Sequence, residues 1–196
     1  MTHIPAATRE SSRRLNLAEK ALLKQMDLRP EERVLDLFVR DGALDEYIGQ
    51  AGLCGLSCVS DSLEDVYALR ETMPGCDINY SSREDIPWYD ETFDKVMLRN
   101  ISGTKEEMLM MLDETVRVLK CGGSFYAALN PMTATLTNLL GLATEADEAQ
   151  MLNASQWQEM LESIGFIHFA TRRVGPDTLM LCATKRGLEE CGEMLA

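Results

Sequence analysis

The chain has 196 residues, 45% of them apolar and 26% charged, with a formal net charge of -13. That length carries one α/β domain with a well-buried core, and the acidic balance argues against nonspecific binding to nucleic acid or to anionic membranes. No apolar run reaches the length of a bilayer span, and the opening MTHIPAATRESSRR lacks the apolar centre of a signal peptide, so a cytoplasmic location is expected.

Taken in order, residues 9–26 place Leu15, Ala18, Leu22 and Met26 on one helical face. A polar turn from Asp27 to Glu32 leads into RVLDLFVRDGAL, residues 33–44, on which the reading centres. Val34, Leu35 and Leu37 make a short apolar run suited to a strand covered on both faces. After Phe38 comes a charged turn, Arg40-Asp41-Gly42, and then Ala43, Leu44, Tyr47 and Ile48 recur at helical spacing. Strand, tight turn and helix is the layout with which open α/β sheets bind nucleotide-like ligands. Leu56–Val59 reads as a second strand, and Asp61 or Ser62 caps a helix through Glu71 with Leu63, Val66 and Leu69 inward. Cys76–Tyr80 reads as a third strand. Ser81–Thr92 is a polar loop, and Phe93–Leu98 is a fourth strand.

The clearest helix spans Lys105–Leu119, with Met108, Met111, Leu112, Val116 and Leu119 sharing a face. Lys120–Gly123 reads as a turn and Ser124–Leu129 as a fifth strand. A less regular stretch, 130–154, holds a helix through Leu136–Leu142 and the acidic run Glu145–Glu148, expected as a solvated face. Ser155 caps a helix ending at Gly165. Phe166–Arg173 and Thr178–Lys185 are strands around the turn Val174–Asp177. The domain plan is an N-terminal helical segment (1–30), an α/β domain (31–186) and a C-terminal tail (187–196). The six cysteines (Cys54, Cys58, Cys76, Cys121, Cys182, Cys191) form no C-x-x-C, and the histidines are His3 and His168. No metal site is expected, and reduced, buried thiols are.

Four stretches in this order resemble the class I S-adenosylmethionine-dependent methyltransferases of the small-molecule branch. RVLDLFVRDGAL stands where that family has its first strand and glycine loop. EDIPWYDETFDKVML is similar to its loop and fourth strand. VRVLKCGGSFYAAL matches its glycine turn and fifth strand, and SQWQEMLESIGFIHF its late helix and following strand. The resemblance runs from about Leu15 to Lys185. It implies a Rossmann-like, seven-stranded, mostly parallel sheet of order 3-2-1-4-5-7-6, with helices on both faces and an antiparallel terminal strand. S-adenosylmethionine would lie across the carboxyl ends of strands one, two and four.

Carried over residue by residue, the family's acidic position is Asp36, and its three loop glycines fall on Phe38, Arg40 and Gly42. Two of the three therefore bear side chains where bare backbone approaches the ligand. The acidic residue that ends strand two maps to Ser57, with Asp61 the alternative if the alignment slips, and the one near the adenine maps to Ser82, with Glu84 or Asp85 the substitutes if the loop shifts. A hydroxyl is a weaker, uncharged partner at both positions. Gly42 and Asp36 also have a structural reading, as a helix-start turn and a strand-end carboxylate satisfied by backbone amides.

Arg40, Arg83 and Arg99 are expected on the cleft side. There they suit an anionic ligand, or else pair with Asp36, Asp41, Glu84 and Asp85. Arg99, Asn100, Ser102 and Asn130 are candidates for the methyl-acceptor side. Tyr47, Tyr80, Trp88 and Tyr89 are candidates to line a pocket. Three functional readings follow: a divergent methyltransferase acting on a small molecule, a catalytically inactive relative that serves as a binding or regulatory partner, and a sensor of another anion. The acceptor, the oligomeric state and the identity of any protein partner stay open at this point.

Overall fold

The computed structural model describes residues 15–40, 42–99, 103–129, 152–176 and 178–187. Its elements run in chain order: helix α1 (Leu17–Met26), strand β1 (Arg33–Leu37), α2 (Ala43–Ala51), β2 (Gly55–Ser60), α3 (Leu63–Thr72), β3 (Asp77–Tyr80), β4 (Phe93–Leu98), α4 (Lys105–Val118), β5 (Leu119–Leu129), α5 (Ala154–Ser163), β6 (Phe166–Val174) and β7 (Thr178–Lys185). The seven strands form one sheet of order β3-β2-β1-β4-β5-β7-β6. The first five pair in parallel; β7 is antiparallel to both β5 and β6. The expected architecture is therefore the observed one.

β1 lies at the centre because its sequence suits burial on both sides: Val34, Leu35, Asp36 and Leu37 are all fully buried. On one face Leu35, Leu37, Phe93 and Val96 join Met108, Met111 and Leu112 of α4 and Trp157 and Leu161 of α5. Leu22 and Met26 of α1 share the other main cluster with Val34, Leu44, Ile48 and Met97. A third cluster sets Val66 and Leu69 of α3 over Cys58 and Ile78.

The helix starts follow local chemistry. Asn16, Thr104 and Asn153 each close a capping box with the residue three positions on, and Ser62 caps α3 through the Asp65 amide. Three expectations change here. Asn153, not Ser155, caps α5. Leu119 begins a strand instead of ending α4. Leu63, expected inward, is 54% exposed, because Val66 and Leu69 carry the buried face of α3; Tyr47, spaced with Leu44 and Ile48, is 48% exposed while those two are buried. The 130–151 segment, Asn100, Ser102, Asp41, residues 1–14 and the tail beyond Gly187 lie outside the described residues.

The turn expected at Lys120–Gly123 is built into β5 as an irregularity: β4 advances from Phe93 to Lys95 while β5 advances from Leu119 to Ser124. Its two glycines serve different needs. Gly122 supplies a left-handed φ of 75°. A Cβ on Gly123 would stand 2.8 Å from the Lys120 carbonyl oxygen and 3.1 Å from that of Asp94. Backbone cannot swing aside as a side-chain end can, so Gly123→Ala is expected to cost about 1–3 kcal/mol, measured as a lowered midpoint in urea unfolding.

Candidate functional site

The parallel strands end together at Leu37 of β1, Ser60 of β2 and Leu98 of β4. That edge flanks the central β1, where open α/β sheets hold ligands. Arg99 is the first residue past β4, and its guanidinium turns back over β1. Its Nε donates to Asp36 Oδ2 at 2.9 Å and its Nη2 reaches the same oxygen. The same Nη2 reaches Asp45 Oδ2 of α2 at 2.5 Å. Glu19 of α1 stands 4.0 Å from Nη1. The two aspartates are fully buried, and the Arg99 side chain is 11% exposed.

One buried guanidinium thus serves two buried carboxylates, and Asp36 Oδ1 has no hydrogen-bond partner. Burial drives the Asp36 pKa well above the ordinary aspartate value. The Arg99 charge partly offsets this, and the Asp45 charge adds to it. Burial alone would lower the Arg99 pKa; the Asp36 and Asp45 charges outweigh it and hold the pKa above its usual position.

The expected glycine loop is filled. Phe38 adopts φ 53°, the left-handed region that glycine would enter without strain. Its side chain is only 2% exposed and packs into the main core cluster. The Arg83 guanidinium lies over its ring, 5.4 Å from the centroid. Left-handed backbone costs a bulky residue about 1–2 kcal/mol. Truncating a buried phenyl ring costs about 3–5 kcal/mol, so packing decides the conformation.

Gly42 has an ordinary φ of -78° as the N-cap of α2. A Cβ there would meet Leu69 Cδ2 of α3 at 2.5 Å and Met73 Cε at 3.3 Å. The surviving glycine therefore lets α2 pack against the side chains of α3.

Ser57 is corrected. It pairs with Leu35 and Asp77 in mid-sheet, three positions short of the strand end. The residue at the carboxyl edge is Ser60, also fully buried; its hydroxyl accepts from the Ser62 amide at 3.2 Å. Just beyond it, Asp61 meets Arg40 at 3.4 Å and Arg83 at 3.5 Å. Ser62 being the cap, Asp61 is free of that task and links the two arginines instead. The arginines are indeed paired, but through Asp61 and Asp45 in addition to the expected Asp36. Ser82 is exposed just past β3, next to Ser81, whose amide donates to the Ser60 carbonyl at 3.0 Å.

The loop between β3 and β4 is held by Arg117 of α4. That side chain donates to the carbonyls of Ile86 and Trp88 and pairs with Glu114 and Asp90. Trp88 donates to Asp77 at 3.0 Å and meets Phe93 edge-on. Tyr80 is 52% exposed and Tyr89 90% exposed. His168 sits in β6 at an irregularity of its pairing, with φ 54°.

The structure thus brings Asp36, Phe38, Arg40, Arg83 and Arg99 together at the strand ends. Asp45 and Asp61 belong with them. Asp45 had a readable signal: on a helix it shares a face with Leu44 and Ile48. Each carboxylate of the trio Asp36, Asp45 and Asp61 is engaged by arginine, so the edge is internally neutralised.

Removing the cation while leaving both buried aspartates is expected to be severe. Arg99→Met should lose about 3–5 kcal/mol in denaturant unfolding. The sign of the pH effect follows from the raised Asp36 pKa. Its contribution to stability is full below the ordinary value of 3.8 and is lost as pH rises through the folded-state value. Asp36→Asn should therefore flatten the fall in stability with rising pH above about pH 4, read as unfolding midpoints across a pH series.

No protein-family model matches the chain. A curated protein of Mycobacterium ulcerans (strain Agy99), described as a probable phthiotriol/phenolphthiotriol dimycocerosates methyltransferase 2, is 27% identical over 111 residues. The match covers 56% of this chain and 36% of that protein, so the aligned stretch spans about a third of the relative's length. Among solved structures, a Pyrococcus horikoshii OT3 protein superposes with a TM-score of 0.72 at 18% identity, covering 87% of this chain and 88% of that one. Human N-acetylserotonin methyltransferase, solved with S-adenosylmethionine, gives 0.71 at 18% identity, covering 87% and 52%. The fold is that of the class I S-adenosylmethionine-dependent methyltransferases, and the curated protein to which the chain is similar is described as a methyltransferase.

Proposed function

We propose that this protein is a methyltransferase-fold member that does not hold the methyl donor in the usual crevice and acts as a binding or regulatory partner. The observation that carries this reading is the double ion pair of Arg99 with Asp36 and Asp45. A ligand cation entering here would have to displace a resident one. It would also meet the Phe38 side chain where the family offers bare backbone, and Asp61 already bridged to Arg40 and Arg83. The residues present do not fit the donor.

A second reading keeps the chain as a divergent enzyme acting on a small molecule. It is supported by the intact sheet order and by the curated methyltransferase relative. In that reading Arg99 leaves Asp36 when the donor enters, and rate comes from alignment of donor and acceptor with water excluded, for which no fixed catalytic base is required.

Titration calorimetry with S-adenosylmethionine and S-adenosylhomocysteine separates the two. The first reading expects no heat of binding at millimolar ligand. Micromolar affinity would overturn it and establish the second. Combining Phe38→Gly, Arg40→Gly and Ser60→Asp should create binding that the natural chain lacks, with circular dichroism to confirm that the variant folds. Phe38→Gly by itself is expected to cost about 1–4 kcal/mol, the lost ring packing less the relieved backbone.

A further inference from the structure

On the side of the sheet that carries α2 and α3, away from the strand ends, a cleft of about 510 Å³ opens over the start of β2. Its walls include Glu46 and Gly49 of α2, Leu56 and Ser57 of β2, and Cys76 from the segment leading into β3. Cys76 is partly exposed to this cleft; Cys58 of β2 is fully buried just behind it. The two Sγ atoms are 3.7 Å apart, in contact. Cys58 Sγ is also 3.8 Å from Asp45 Oδ1, and Asp45 is the carboxylate whose other oxygen holds Arg99.

We propose that Cys58 and Cys76 form a reversible disulfide, and that a peroxide-class oxidant entering the cleft drives it. The Cys76 thiol attacks the peroxide O–O bond. One oxygen is transferred to give a sulfenic acid, and the other leaves as water. Cys58 sulfur then attacks the Cys76 sulfur, the S–O bond breaks, and the Cys58 proton leaves with the hydroxyl as a second water. The sulfur pair has lost two electrons and the peroxide has gained them.

The order of events follows from access. The neighbouring Cys76 sulfur and burial together push the Cys58 thiol pKa up, so Cys58 is inert until its partner is activated. Closing a gap of 3.7 Å to the bond length of about 2.05 Å requires Cys76 to release the Leu56 carbonyl, which its thiol meets at 3.3 Å. Movement there is permitted: Cys76 precedes the edge strand, follows the Met73–Gly75 turn, and a Cβ on Gly75 would meet nothing within 4 Å. Bond formation also removes the Cys58 S–H from Asp45. The oxidation state of the cleft is thereby connected to the Arg99 clamp through a single side chain.

The test treats the full chain with hydrogen peroxide, blocks remaining thiols by alkylation, and maps peptides by mass spectrometry before and after reduction. Loss of the Cys58 and Cys76 thiols in step is expected, with one linked peptide that dithiothreitol restores. In Cys58→Ser the Cys76 sulfenic acid should persist and be trapped by dimedone; Cys54→Ser should leave the link unchanged. If Cys58 and Cys76 remain fully alkylated when Cys121 has already been oxidised, or if Cys76 pairs with Cys54 instead, the proposal is wrong. Should Cys58→Ser not fold, the natural chain alone decides through the linked peptide. The result does not depend on whether the methyl donor binds.

Discussion

The site depends on one guanidinium. Arg99 reaches back from the end of β4 to two buried aspartates, one in β1 and one in α2. Carboxylates in an apolar interior are expensive to ionise unless a counter-charge stands beside them. Here the chain supplies a counter-charge itself, which offsets that cost at Asp36 in part. The central strand, its following helix and the fourth strand are thus tied together at the edge where relatives of this fold place a ligand. Phe38 completes the arrangement from below, trading a strained backbone for a buried ring.

A site built in this way is stable when empty. In an active ligand crevice, polar groups are commonly left wanting a partner until the ligand arrives. At this edge most of those demands are met within the chain: Asp36 and Asp45 by Arg99, Asp61 by Arg40 and Arg83, and the Ser60 hydroxyl by the Ser62 amide. The one exception among them is Asp36 Oδ1, which retains an unmet acceptor. The sheet, by contrast, keeps every pairing that defines the family architecture. Under the proposed reading, scaffold and site have diverged to different extents, as expected when core packing and ligand contacts are under separate physical constraints.

The scaffold was legible because periodicity and turn chemistry report local burial directly. Val34 to Leu37 read as a doubly covered strand, and the face of Met108, Met111 and Leu112 read as core; all are buried. The site was legible in its residue types and less so in its partners. The sequence sets Arg99, Arg83 and Arg40 just past the strands, where the structure has them, but does not mark Asp45 and Asp61 as their counter-ions. Ion pairing between elements far apart in the chain leaves no spacing to read, and Arg99 and Asp45 are 54 positions apart. Ser57 was misplaced for a related reason. β2 pairs with β1 as far as Cys58, and pairing with β3 carries the strand on to Ser60.

Gly42 holds a caution for tracing descent by motif. Its missing side chain makes room for Leu69 and Met73, so selection on helix packing alone would preserve it long after any ligand had gone. A glycine that masonry alone would keep is then no witness, by itself, to what a crevice holds.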